Sequence, residues 1–209
     1  MAVITMPAVL AVRDFTWGQR RYDIEASSDV NGSSQARLFG PPRWLCSFQC
    51  PPGLSPADAA IWEAMLLQLR GRVNHLAVWD RNRPAPRGTV RGSLTLNATV
   101  SAGATSATIN GGAGQAGTTV AVGDKFMLAS GVGTSQLVQA TSAVTLNGSG
   151  IGTFSFEPPA RIAFSSGAAV TWDKPVAHFK QQSSEWAGRG ITSQVFAGYG
   201  LDLLEDWTP

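Results

Sequence analysis

Charge is what this chain has least of. Only 14% of its 209 residues are Asp, Glu, Lys or Arg, against about 25% in an ordinary globular protein. Such a surface is poorly protected against association, so buried subunit contacts are expected. The net charge of +2 is too small for nucleic-acid binding by electrostatics. Cysteine is nearly absent: Cys46 and Cys50 are the only two. In an extended segment they lie about 13 Å apart at ~3.3 Å per residue, and a disulfide needs Cα atoms within roughly 7 Å. They read as small apolar core residues in a reducing compartment. His75 and His178 are isolated and no second Cys pair exists, so no metal centre and no cofactor is expected. No hydrophobic run reaches the roughly 18–20 residues of a membrane span. Residues 1–7 lack the basic start and long apolar stretch of a secretion signal. Synthesis in a cytoplasm without membrane contact is the expectation.

Tryptophan, by contrast, is plentiful, with seven copies. Trp is a preferred anchor in both cores and interfaces. One helix is clearly marked over residues 55–70. Ser55 suits the N-cap and Pro56 the first turn. Asp58 meets the positive end of the helix dipole. Trp62, Met65, Leu66 and Leu69 form one narrow apolar stripe, and Gly71 is a ready stop. Burying Trp62, Leu66 and Leu69 should contribute about 1.5–3 kcal/mol each. A stripe this narrow fits packing against a sheet. A short strand follows over residues 73–80, then a basic, proline-broken turn, Arg81 to Gly88.

The rest reads as short strands. Residues 8–24 suggest one or two strands near a domain edge, 26–35 a polar loop turning at Asn31-Gly32, and 37–49 an alternating strand. From about residue 89 to 172 the chain is dominated by Gly, Ala, Ser, Thr and Val. β patterns recur at 93–97, 107–110, 120–128, 136–139, 141–146 and 152–156, separated by turn signals. Residues 174–207 regain Trp, Phe and charge, like the beginning of the chain. The organisation predicted is mostly β: residues 1–88 and 173–209 fold together as one domain with a flanking helix, and 89–172 is an inserted small β-barrel or β-sandwich.

Catalysis is not expected. No nucleophile elbow, phosphate loop or dinucleotide fingerprint occurs. Asp14, Asp23, Glu25, Asp173 and Glu185 could supply a carboxylate pair, but nothing in their spacing selects one. The features left over are contact features. Arg81, Arg83 and Arg87 suit pairing with a neighbouring subunit's carboxylates, and with Trp79 and Trp186 they make the candidate subunit interface.

The order of these motifs resembles a known family. Aromatic strands precede Gly40-Pro41-Pro42-Arg43-Trp44. The helix and Leu69-Arg70-Gly71-Arg72 come next, then Leu76-Ala77-Val78-Trp79-Asp80 and Pro86-Arg87-Gly88. A β-rich middle containing Val122-Gly123-Asp124 closes on Pro158-Pro159-Ala160-Arg161. This is similar to the distal tail and minor tail proteins of long-tailed bacteriophages. The resemblance implies a tail-tube-like β-sandwich or barrel that builds a homo-oligomeric ring, generally a hexamer, between tail tube and tail tip. It implies contacts with tail-tube, tape-measure and hub or tip proteins. The site would be the virion tail tip, assembled in the host bacterial cytoplasm, with DNA only passing through the lumen. It brings no catalytic residues. The alternative for the inserted domain is a carbohydrate-binding module meeting host-surface sugars, through Phe126, Phe154, Phe156, Phe164 or Trp172.

Overall fold

The computed structural model describes residues 1–27, 32–185, 190–192 and 195–208. The chain opens with β1 (Val3–Thr5), β2 (Arg13–Ser27), β3 (Ser34–Gln49), α1 (Pro56–Leu69) and β4 (His75–Trp79). Eight short strands follow: β5 (Leu94–Leu96), β6 (Ser106–Asn110), β7 (Thr119–Val120), β8 (Lys125–Leu128), β9 (Gln136–Ala140), β10 (Val144–Thr145), β11 (Ile151–Glu157) and β12 (Ala169–Thr171). The last part holds β13 (Val176–Gln181), β14 (Gly190–Thr192), β15 (Val195–Ala197) and β16 (Gly200–Glu205). The fold is mostly β, with this one α-helix among the described residues.

The first and last parts share one six-stranded sheet in the order β1-β4-β13-β16-β3-β2. Only β1 and β4 run parallel. Alternation explains its buried face. Trp44, Cys46 and Phe48 point inward along β3, while Arg43, Leu45 and Ser47 between them are half-exposed. Leu76, Val78, Phe179, Leu201 and Leu203 extend the same layer. α1 lies on it through Ala59, Trp62, Met65, Leu66 and Leu69, all buried. Ser55 Oγ accepts the Asp58 N–H at 3.2 Å, as an N-cap should. Arg70 itself takes the left-handed C-cap conformation, one residue earlier than the stop expected at Gly71.

The middle strands close into a six-stranded barrel, β11-β6-β5-β12-β8-β9. Its interior is a second core of Leu94, Leu96, Ile109, Phe126, Leu128, Val138, Phe154, Phe156 and Val170. The chain leaves the sheet after β4 and returns at β13, and these two strands are antiparallel neighbours, with Trp79 opposite Val176. Both ends of the barrel segment therefore start from one place, where the Lys174 N–H donates to Pro84 O at 2.6 Å.

Several strand limits differ from those read in the sequence. The expected 120–128 strand is broken by a turn at 121–124, where Gly123 has φ +89°. The 141–146 strand shrinks to Val144–Thr145, and the three-residue β12 carried too short a pattern to be expected. The stretch 26–35, expected as a polar loop, is strand at both ends: Ser27 pairs with Ser34 and Ala26 with Gln35. Its described residues, 26–27 and 32–35, are all exposed, so no apolar alternation marks them. Asn31 of the expected turn lies outside the described residues.

Candidate functional site

Sheet and barrel meet at a seam of buried charge. Lys125 at the start of β8 is 7% exposed, and Asp80 just after β4 is 6% exposed. Their side chains form an ion pair. The ammonium also sits 4.7 Å from the Trp17 ring centroid and 5.6 Å from that of Trp44, a favourable placement for a desolvated cation. Burial lowers the Lys125 amine from its ordinary value, and Asp80 opposes the shift. Asp80 Oδ1 accepts the Asn82 N–H at 3.0 Å. Trp44 crosses the seam by donating from Nε1 to Leu137 O at 2.9 Å. An open crevice of about 360 Å³ runs along this junction between Gln19, Trp44, Arg83, Lys125 and Gln139.

A second cluster closes the far end of the seam. Glu205 accepts the Trp44 N–H at 3.0 Å and lies 3.9 Å from Arg161. Burial raises its carboxyl, against the pull of the Trp44 N–H and Arg161. Burial also brings the Arg161 guanidinium down to about 10, Glu205 opposing. Trp207 has the guanidinium carbons of Arg43 and Arg161 each 4.6 Å from its ring centroid. Next to it, Asp206 accepts from Lys180 at 2.7 Å and contacts His75 Nε2 at 2.9 Å. Burial alone would raise the Asp206 carboxyl, but Lys180 and His75 bring it down to about 2. Glu205 and Asp206 were not among the acids singled out in the sequence. Their signal was weak: two acids at the end of an alternating strand.

His178 gives this region a pH dependence. Burial, then His75 and Arg161, hold its pKa below the ordinary value of 6.5. The folded state therefore resists protonation. This contribution to stability is complete above the unfolded value and is lost as pH falls from there through the lower folded value. The urea midpoint is expected to drop from about pH 7 to about pH 5, and to drop less in His178→Gln. Identical slopes in the two proteins would remove His178 as the cause.

The other residues singled out from the sequence fall as follows. Trp79 is half-buried, with the Arg81 guanidinium carbon and the Lys174 ammonium 5.8 and 5.6 Å from its ring centroid. Arg81 is spent on its own chain, donating to Leu10 O at 2.8 Å and Ala8 O at 3.3 Å. Arg83 and Arg87 are exposed. The linker backbone is clasped by the Asp124 carboxylate, which accepts the N–H groups of Arg87, Gly88 and Ala121 at 2.7, 3.1 and 2.7 Å. Trp186 lies outside the described residues. Asp14, Asp23, Glu25, Asp173 and Glu185 are all exposed, with Asp14 at the start of β2, Asp23 and Glu25 together near its end, and the other two on separate segments. Cys46 and Cys50 are buried free thiols, and burial pushes the Cys46 thiol up. Phe126, Phe154, Phe156 and Phe164 are at most 3% exposed inside the barrel, where no sugar can stack on them. Trp172 is half-buried, with the Arg91 guanidinium carbon 5.1 Å from its ring centroid, and donates to Gly92 O at 2.6 Å.

The other conspicuous surface is the β2–β3 hairpin. β16 pairs with β3 only over Leu45–Gln49, and the outer side of β2 pairs with nothing among the described residues. Pro41 and Pro42, which have no N–H to give a ladder, sit where the β2–β3 register shifts. Beyond them a two-stranded arm leaves the body, about 20 Å long at ~3.4 Å per residue. Residues 23–27 and 32–39 of it are all exposed, including Ile24 at 61%, Leu38 at 53% and Phe39 at 63%. A lone two-stranded ribbon is marginal in water. This one has no face buried by its own chain.

No helix among the described residues is long and apolar enough to cross a membrane. The chain matches no protein-family model and no curated protein sequence.

Proposed function

We propose that this chain is a structural subunit of a long-tailed phage virion, a distal tail or minor tail protein that forms a ring joining the tail tube to the tail tip. The observation that carries the reading is the β2–β3 arm on a sheet whose two edge strands, β1 and β2, have no further strand partner among the described residues. A sheet with open edges invites pairing with another chain, and an exposed apolar ribbon gains stability only by docking. The order of motifs along the chain supplies the family, and the ring size, six in most members, comes with it. The partners in this reading are further copies of the chain, the tail-tube and tape-measure proteins and the hub or tip proteins, with DNA passing through the lumen. Arg83 and Arg87, beside Trp79 and Arg81, are the cationic contacts available to a neighbour. The barrel hangs outside the ring as a rigid appendage, clamped by the Lys125–Asp80 pair.

Mass photometry and negative-stain electron microscopy of the purified full chain test this. Rings or ring fragments are expected at high protein concentration. The triple substitution Ile24→Lys, Leu38→Lys, Phe39→Lys should leave a folded monomer, recognised by an unchanged near-ultraviolet spectrum. A parent chain that stays monomeric at every concentration, alone and with its tail partners, overturns the reading.

A further inference from the structure

Apart from Val9 and Val122, the large exposed apolar side chains fall into two groups. Ile24, Leu38 and Phe39 lie on the arm, beside the β2 edge of the sheet. Met1, Val3 and Val73, 61, 45 and 53% exposed, lie at the opposite edge, around β1. The parallel register sets Val3 opposite His75, and Asn74 Oδ1 accepts the Ala2 N–H at 3.1 Å, so Val73, in the turn just before β4, lies at this edge with the start of the chain. Leu67, 65% exposed, lies in the last turn of α1, which leads into this edge. Arg70 and Arg72, both exposed, stand between Leu67 and Val73. Arg72 also donates to Gln182 O. The β1 edge is thus an apolar rim flanked by cations.

The arm has two unlike faces. Leu38 is directly opposite Asp23, and Ala36 directly opposite Glu25, so these four side chains share one face. Arg37, opposite Ile24, lies on the other, with its guanidinium carbon 5.6 Å from the Phe39 ring centroid. The first face is apolar at Leu38 and acidic around it, the complement of the β1 rim. Within one chain the two cannot meet, because four strands separate β1 from β2 in the sheet.

We propose that the arm of one copy docks on the β1 edge of the next copy, Leu38 against Val3 and Val73, with Asp23 and Glu25 facing Arg70 and Arg72. The inference rests on the ring reading and specifies its contact. The two patches differ, so the interface is heterologous. Repeated, it closes a ring or, if the rotation does not close, builds a filament. The exposed outer edge of β1 gives the incoming strand its backbone partners.

Cysteine cross-linking tests the contact. Val3→Cys and Leu38→Cys are placed in one chain, where the native Cys46 and Cys50 are buried and do not compete. Mild oxidation is expected to give a covalent ladder up to the full oligomer, and V3C alone or L38C alone should give none. Charge reversal is an independent arm. D23K/E25K and R70E/R72E should each lose assembly, and the four substitutions together should restore it. If mass photometry shows the oligomer but neither ladder nor rescue is seen, the arm-to-β1 contact falls and the ring stands. If the chain is monomeric throughout, both fall.

Discussion

Asp80→Ala is expected to remove about 3–5 kcal/mol of folding stability, because it leaves a buried ammonium with no counter-charge. Lys125 borders the crevice but holds its ammonium inward. Its side chain is 6% exposed and caged by Trp17 and Trp44. The Asn82 N–H loses its acceptor as well. A urea or guanidinium titration reads the loss. Lys125→Met combined with Asp80→Leu should regain most of it, since an apolar pair of similar volume avoids the desolvation penalty altogether. If D80A unfolds at the parent's midpoint, the pair does not hold barrel to sheet. A comparable loss in the double variant would place the cost in packing and not in charge.

Gly150→Ala is expected to cost more than about 3 kcal/mol, through a clash that no rotamer relieves. A Cβ here would lie 1.8 Å from Gly112 O, and the residue has φ +74°, where L side chains are strained. The contact cannot open cheaply. Gly150 O accepts the Gly111 N–H at 3.0 Å, at the point where β6 and β11 begin to pair. Gly148, two residues away, has open space around its Cβ position. Gly148→Ala in the same asparagine turn is therefore the control and should be close to neutral. Equal midpoints for the two variants would show that the close approach does not limit stability.

These two sites show what a sequence reading can and cannot reach. Gly150 stands in Asn147-Gly148-Ser149-Gly150, which marks a turn by composition. Which glycine is indispensable depends on the Gly112 carbonyl, 38 residues earlier in the chain. Lys125 and Asp80 are 45 residues apart and look like ordinary surface charges in sequence. They meet only because the inserted barrel is set back against the strand it left. Asp80 and Asp124 end two of the quoted motifs, but no spacing pointed to their contacts or to those of Glu205 and Asp206, whereas the acids considered for chemistry are all exposed.

Local signals determined the local structure. Ser55, Pro56 and Asp58 start a helix and the Trp62–Leu69 stripe gives it one buried face, because capping and 3.6-residue periodicity act within a few residues of chain. The alternation at Trp44, Cys46 and Phe48 likewise specified a half-buried strand, and the mostly β character followed from many short runs between glycine turns. Tertiary structure alone decided the rest: the closing of the barrel, the pairing of β4 with β13, the charged seam, and the extension of β2 and β3 into an arm. Those features are pairings between distant segments, or strands exposed on both faces. Neither leaves a periodic trace, since periodicity records only which side of an element is turned away from water.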